Sequence, residues 1–343
     1  MSYSLFLMVE SKTMETRKSE LPQLPPPPGA VTALVNGFNA IAGNVVVILF
    51  PAALDLFLWL GPRLKADALL APILEALPTI QAQAPADQVQ LFTQLAAEFK
   101  NGLNLFSLIR TFPMGIFSLM STNISAKTPF ASRLALDMPG WLAAFGIMLA
   151  LTILGWAAGS LYFRSVSRVA LKLQDGPGII RVLLQGVLLS AVWMLFFTLA
   201  NLPVLIGMWV LTLLNSVLRT ILMVVLSIPV VWCLMAIFYS FYGIFTKAEN
   251  AFASSRSSVR MLRYGLPPLG WFSMLIILIS QGMDLLWRAA PPESWMMGVG
   301  ILGHAFVSTS LLAASFIYYR DLNLWIDSAL EWINKQNKSA AQA

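Results

Sequence analysis

The sequence predicts an all-α, polytopic membrane protein with six transmembrane helices and further amphipathic helices at the membrane interface. Of its 343 residues, 58% are hydrophobic and 11% are charged, whereas about 25% of the residues in a soluble domain are charged. A water-soluble fold could not cover so much apolar surface with so few charges. The apolar residues also form runs of about 20, the length that a helix needs to cross a bilayer core of about 30 Å.

The N-terminal region divides into a tail and a first membrane element. Residues 1–29 are expected to be a cytoplasmic tail that ends in a polyproline spacer, and Met14 opens a polar stretch that makes it a candidate initiator. Residues 30–60 follow as one unit. Within it, the semi-polar residues 30–43 are expected to lie along the membrane, and residues 44–60 form the first apolar run.

Residues 61–139 are expected to form an extracytoplasmic helical insertion. Residues 66–77 have the spacing of a short amphipathic helix, and residues 89–106 place apolar side chains three and four apart. This stripe favours packing onto the bundle over a partner-binding groove. Residues 105–120 are too short to span and contain Arg110 and a helix-breaking proline, so we expect an interfacial or re-entrant element there.

Residues 140–320 are expected to form a bundle of five further transmembrane helices. Residues 181–246 are apolar but too long for one helix, so the polar residues 215 and 216 predict a turn between two spans. The other predicted spans are residues 140–163, 265–287 and 296–319.

Lysine and arginine residues predict the orientation. The loops at residues 164–181 and 247–263 hold four basic residues each, whereas the loops on the opposite side hold only Arg219 and Arg288. Short loops rich in basic residues stay in the cytoplasm. We therefore expect a multi-pass protein of the cell membrane with both termini cytoplasmic.

Two surfaces on the cytoplasmic side are expected to contact lipid. Residues 248–264 interleave apolar and basic side chains, which is typical of a helix on an anionic membrane surface. Residues 321–343 are expected to form an amphipathic C-terminal helix that lies flat on that surface. The candidate contacts with lipid head groups are Arg256, Arg260 and Arg263.

Three ionisable side chains fall inside the predicted spans: Asp55, Asp284 and His304. Such groups are costly at membrane depth and are therefore functional candidates. One hypothesis places them around an outward-facing polar cavity that relays protons or binds a cationic substrate. The counter-charge of this cavity would be Arg110, Arg219 or Arg288.

The alternative hypothesis assigns the same side chains purely structural roles. Asp284 would pair with Arg288 four residues later, and Asp55 would pair with an arginine on the outer side. His304 would make a hydrogen bond between helices. The sequence favours this structural alternative over the cavity.

Two glycine patterns are expected to serve helix packing. Residues 298–303 match GxGxxG, but the dinucleotide fingerprint requires a preceding strand, and here the motif lies inside an apolar run. Gly155 and Gly159 form a second small-residue face, which we expect to contact another helix.

The chain offers no motif for catalysis or for cofactor binding. Cys233 is the only cysteine and His304 is the only histidine, which excludes disulfide frameworks, thiolate clusters and multi-histidine metal sites. Walker A and GxSxG sequences are absent. We therefore expect no enzymatic activity and no cofactor. The partners that we expect are membrane lipids and other membrane subunits, not nucleic acid.

The last third of the chain carries a resemblance. Residues 247–251 (KAENA) lead to residues 257–260 (SSVR) before the fifth span, and residues 318–322 (YYRDL) follow the sixth. On these residues the chain resembles a loosely defined group of bacterial six-helix membrane proteins, which includes the membrane domain attached to some glycerophosphodiester phosphodiesterases. The resemblance implies the six-helix fold and carries over no functional residue.

The sequence leaves two main functional classes open, and an intramembrane enzyme is a third that only a solvent-reachable nucleophile beside His304 would favour. The favoured interpretation is an inner-membrane protein with a structural, scaffold or lipid-associated role. The alternative is a transporter or permease subunit with an outward-facing polar cavity. A water-accessible path would favour transport, and a dry core with a basic, lipid-facing surface would favour the first interpretation.

Overall fold

A computed structural model describes residues 26–65, 78, 104–122, 127–130, 133–174, 176–214 and 216–341. Met14, the amphipathic helix expected at residues 66–77 and most of the stripe at residues 89–106 lie outside these ranges. The side chain of Arg219 also lies outside the described part of the chain.

The described chain is mainly helical. Its helices are α1 (Ala30–Ala42), α2 (Leu49–Leu60), α3 (Trp141–Leu171), α4 (Ile179–Leu214), α5 (Ser216–Ser240), α6 (Tyr242–Thr246), α7 (Ala251–Trp287) and α8 (Met296–Ala341). Short 3-10 helices cover Val45–Ile48, Leu105–Arg110 and Met120–Thr122. Two strands of two residues each, β1 (Arg63–Leu64) and β2 (Ala135–Leu136), pair in parallel.

Among the described residues, five helical stretches are long and apolar enough to cross a membrane: α3, α4, α5 continued by α6, α7 and α8. A sixth crossing is counted if α1 and the stretch Val45–Leu60 form one broken span, although the chain bends by 94° between them. The predicted helical fold is thus confirmed, with five or six elements in the described residues that are long and apolar enough to span a membrane.

The fifth span begins within a longer helix. The predicted boundary at Gly265 is a kink, where the backbone leaves helical geometry at φ −125° and ψ 20°. Pro267 and Pro268 follow and cannot donate the backbone hydrogen bonds that a straight helix needs. The amphipathic stretch before Gly265 and the span after it are therefore two limbs of α7.

The C-terminal amphipathic helix was predicted as a separate element at residues 321–343, but in the structure it is the end of α8. Helix α8 continues without a break to Ala341, because no glycine or proline interrupts it after Gly303. Leu322 and Ile326 are buried against Gly265 at the kink of α7. This part of α8 packs on the N-terminal limb of α7.

Helix α8 lies at the centre of the bundle. In its most apolar stretch 78% of the residues are buried, against 28% or less in the other four long helices. Helix α1 crosses it closely, since a methyl group at Gly37 would lie 2.5 Å from the backbone nitrogen of Ala314. The glycines of residues 298–303 serve the same purpose, as predicted: a methyl group at Gly303 would lie 2.6 Å from the Trp287 ring.

Candidate functional site

Residues 105–122, here called the inserted segment, enter the bundle and return. A methyl group at Gly155 would lie 2.7 Å from the carbonyl oxygen of Ile109, and one at Gly159 would lie 2.8 Å from the Cα atom of Gly115. These two glycines lie about 21 and 27 Å along α3 from its first residue. The small-residue face of α3 is thus in close contact with the inserted segment, at its 3-10 helix Leu105–Arg110 and at Gly115, and not with another long helix.

The inserted segment is held by packing and by hydrogen bonds. Met114, Ile116 and Leu119 are buried. Trp156 of α3 donates a hydrogen bond to the carbonyl oxygen of Phe112 over 3.1 Å. Irregular backbone is tolerated at membrane depth where protein buries it or where it lines a cavity, and this segment meets both conditions.

Asp55 anchors the returning part of the inserted segment. Its carboxylate is fully buried and accepts hydrogen bonds from Ser118 Oγ at 2.5 Å and from the backbone nitrogens of Leu119 and Met120, both at 3.0 Å. These bonds cap the 3-10 helix Met120–Thr122. The expected partner of Asp55 was an outer arginine; in the structure its hydrogen-bond donors are a hydroxyl and two backbone amides.

A cavity of about 460 Å³ lies between the inserted segment and helices α5, α7 and α8. We call it the outer cavity, after the side of the membrane on which the sequence predicts its polar residues. Apolar side chains of α5, including Met235 and Phe238, form one wall. The polar side chains that α7 and α8 contribute to the cavity lining are Ser273, Ser280, Gln281, Asp284, His304, Ser308 and Ser315. On α8 they extend for about 16 Å along the helix axis.

Asp284 and His304 form a pair at the wall of the outer cavity. The Nδ1 atom of His304 lies 2.9 Å from an Asp284 carboxylate oxygen, and His304 is 5% exposed. The other ring nitrogen, Nε2, is buried and has no hydrogen-bond partner among the described residues. The expected ion pair of Asp284 with Arg288 is not formed in the described chain. The exposed Arg288 donates only its backbone N–H, to the Asp284 carbonyl oxygen over 3.0 Å.

Arg110 is the cation of the outer cavity. Its Nη1 donates to Ser121 Oγ over 2.8 Å, and its side chain lines the cavity together with Asp284 and His304. Within the described ranges Arg110 forms no ion pair. The structure therefore brings together Arg110, Asp284 and His304, keeps Asp55 behind Ser118 and leaves Arg288 outside the lining.

The sequence did not predict the hydroxyl groups of the outer cavity. Ser273, Ser280 and Asp284 recur on one face of α7, and His304 and Ser308 on one face of α8. Their spacing of four or seven residues was the signal that could have identified them. In the part of the chain that the structure describes, no three His, Cys, Asp or Glu side chains are placed to hold a metal ion.

The three arginines that were expected to contact lipid head groups differ from one another in their surroundings. Arg260 forms an ion pair with Asp327 of α8 at 2.9 Å. Arg263 lies over the Tyr264 ring, 5.5 Å from its centroid. Arg256 is exposed. This face of α7 therefore presents cations to its surroundings, and one of them also forms an ion pair with α8.

Chemically, the outer cavity can hold a small solute that has both apolar and polar parts. The guanidinium of Arg110 can bind an anionic group, and the hydroxyls can accept and donate hydrogen bonds. The pair of Asp284 and His304 can exchange a proton. No protein-family model matches the chain, and neither the curated proteins nor the solved structures contain a match to it, so the resemblance to bacterial six-helix proteins stays a prediction.

Proposed function

We propose that this protein is a transporter or permease subunit of the bacterial inner membrane, and that it binds its solute in the outer cavity. The observation that carries this proposal is His304, a buried imidazole that bonds Asp284 on one side and leaves Nε2 without a described partner. A buried polar group without a partner costs about 1–3 kcal/mol. A bound solute or water would remove that cost.

The lining favours a small amphiphile with one anionic group as the solute. In the part of the chain that the structure describes, Arg110 bonds to Ser121 and forms no ion pair, whereas Asp284 bonds to His304. The remaining walls are hydroxyl-bearing or apolar. A volume of about 460 Å³ lies within the range of about 300–1,000 Å³ that is usual for small-molecule sites.

The elements around the outer cavity are of a kind that can change shape. Pro229 lies inside α5, and α7 is kinked at Gly265, before Pro267 and Pro268. Interrupted helices are common at the binding sites of secondary transporters. The inserted segment forms the remaining wall.

Labelling of introduced cysteines tests whether water reaches the outer cavity. In a Cys233→Ser background, Ser280→Cys and Ser273→Cys place thiols in the cavity, and Leu278→Cys places one on the outside of α7 at a similar depth. A charged, membrane-impermeant thiosulfonate should label the two cavity thiols from the outer side and leave Leu278→Cys unlabelled, because a thiol surrounded by lipid does not ionise. If all three positions stay unlabelled, the cavity is dry and the proposal is wrong.

Currents on solid-supported membranes test transport itself. Proteoliposomes would be challenged with a panel of small carboxylates, zwitterions and amines, and we expect a response to an anionic or zwitterionic member. Arg110→Gln should abolish it, whereas Arg288→Gln, a similar change outside the lining, should retain it. Equal responses from the two variants would show that Arg110 does not bind the substrate.

A structural or lipid-associated role is the second candidate. It is favoured by the N-terminal limb of α7, where Phe252 is 80% exposed beside the exposed Arg256 and Arg263. Such a mixture of apolar and basic side chains suits an anionic membrane surface. A dry outer cavity together with tight co-purification of anionic lipid would support this role over transport.

A further inference from the structure

A second polar site lies on α8 away from the outer cavity. It is a cleft of about 500 Å³ between α1, the C-terminal end of α3 and α8. We call it the basic cleft and define it by its polar residues, which are Asn36, Asn39, Asn44, Lys172 and Arg320. It has two cations and three amides, and none of its lining residues is acidic.

Lys172 occupies a backbone conformation that a lysine rarely adopts. It follows α3 with φ 54° and ψ 41°, in the left-handed region where glycine is the usual residue. Leu173 N–H donates to the Arg168 carbonyl oxygen over 3.0 Å and closes the helix end. A side chain in this conformation costs free energy relative to glycine.

The charges of the basic cleft are poorly compensated. Lys172 forms no ion pair with any described residue. Arg320 uses Nε to bond its neighbour Asp321 over 2.8 Å, an exposed contact that leaves the terminal amino groups of the guanidinium for a ligand. Asn36, Asn39 and Asn44 lie on α1 or just after it and are exposed.

We propose that the basic cleft binds a phosphate group, supplied by an anionic phospholipid. Lysine and arginine are the usual phosphate ligands, and amide N–H groups add hydrogen bonds to its oxygens. Leu171 and Ile317 give the cleft an apolar floor, and α1 exposes Val31 and Val35 beside it. These apolar contacts favour a lipid over free phosphate. The site does not depend on the transport proposal, because it shares no lining residue with the outer cavity.

Lipid binding would be measured by native mass spectrometry of the purified protein with dioleoylphosphatidylglycerol, dioleoylphosphatidylcholine or inorganic phosphate. Lys172→Gln and Arg320→Gln should each weaken phosphatidylglycerol binding about tenfold, which corresponds to about 1.4 kcal/mol. Lys335→Gln, the same change at an exposed position of α8 outside the cleft, should bind like the parent.

Lys172→Gly separates binding from folding. Glycine suits the left-handed position, so the lipid-free variant should melt at or above the temperature of the parent, yet bind phosphatidylglycerol as weakly as Lys172→Gln. If inorganic phosphate binds with the same dependence on Lys172, the basic cleft is a phosphate site whose ligand is a soluble phosphate and not a lipid. Equal phosphatidylglycerol binding by the parent, Lys172→Gln and Arg320→Gln, or none by the parent to either phosphate source, would overturn the proposal.

Discussion

Replacement of Asp55 by asparagine should destabilise the fold, because three donors converge on its carboxylate. One oxygen accepts from Ser118 Oγ at 2.5 Å and from Met120 N at 3.0 Å, and the other accepts from Leu119 N at 3.0 Å. An asparagine oxygen can replace only one of the two. If it keeps Ser118 and Met120, its NH₂ group faces the Leu119 N–H, and a buried donor loses its acceptor.

The size of the effect follows from these bonds. A buried N–H without an acceptor costs about 1–3 kcal/mol, and hydrogen bonds to a charged acceptor contribute about 1.5–3 kcal/mol against about 1 for neutral ones. Release of the buried charge offsets part of this loss. The expected decrease in the free energy of unfolding is about 2–4 kcal/mol.

The assay is reversible unfolding in mixed micelles of mild detergent and sodium dodecyl sulfate, followed by circular dichroism. Asp137→Asn is the matched control, because Asp137 pairs with Lys65 at 3.1 Å and its side chain is 74% exposed. Such an exposed pair contributes about 0–1 kcal/mol. If the free energy of unfolding of Asp55→Asn equals that of Asp137→Asn, the hydrogen bonds to Asp55 do not anchor the inserted segment.

Three further predictions concern packing and orientation. Gly159→Ala should lower the free energy of unfolding by about 1–3 kcal/mol through overpacking, since its methyl group would lie 2.8 Å from Gly115 Cα. Gly146→Ala is the control in the same unfolding assay and should not destabilise the protein, because nothing lies within 4 Å of its methyl group. Arg260→Gln should cost less than about 1 kcal/mol, because the pair with Asp327 is partly exposed, and a larger loss would mean that this pair holds α7 to α8. The predicted cytoplasmic C-terminus can be tested by fusions after Ala343 in a bacterial host. Green fluorescent protein fused there should fluoresce and alkaline phosphatase should be inactive, whereas the reverse result would show that the predicted topology is inverted.

The sequence predicted the ends of several helices because local chemistry determines them. Helix α2 ends before Gly61 and Pro62, and α7 ends at Trp287, as predicted. The partner of Asp55 could not be predicted, because Ser118 is 63 residues away in a segment without regular periodicity. The composition indicated only that a buried carboxylate needs a partner.

The sequence did not show what the apolar faces of the amphipathic stretches pack against, for a physical reason. Both the stretch before Gly265 and the stretch after Arg320 have an apolar face, which the sequence interpretation assigned to the membrane surface. In the structure these faces pack against each other, with Leu322 and Ile326 beside Gly265. An apolar stripe indicates burial but does not distinguish lipid from a second helix.

The inserted segment is the element that we expect to gate the outer cavity. Ser118 donates to Asp55 and also lines the cavity, so the anchored end of the segment lies in the cavity wall. Arg110 and Phe117 line both the outer cavity and a second cavity of about 460 Å³ that borders the same segment. A shift of residues 110–117, with Ser118 held by Asp55, would therefore change the wall that the two cavities share while the long helices stay in place. The proposed transport function requires an element with two arrangements, and we expect this stretch to supply it, because it is the wall of the outer cavity that is not a long helix.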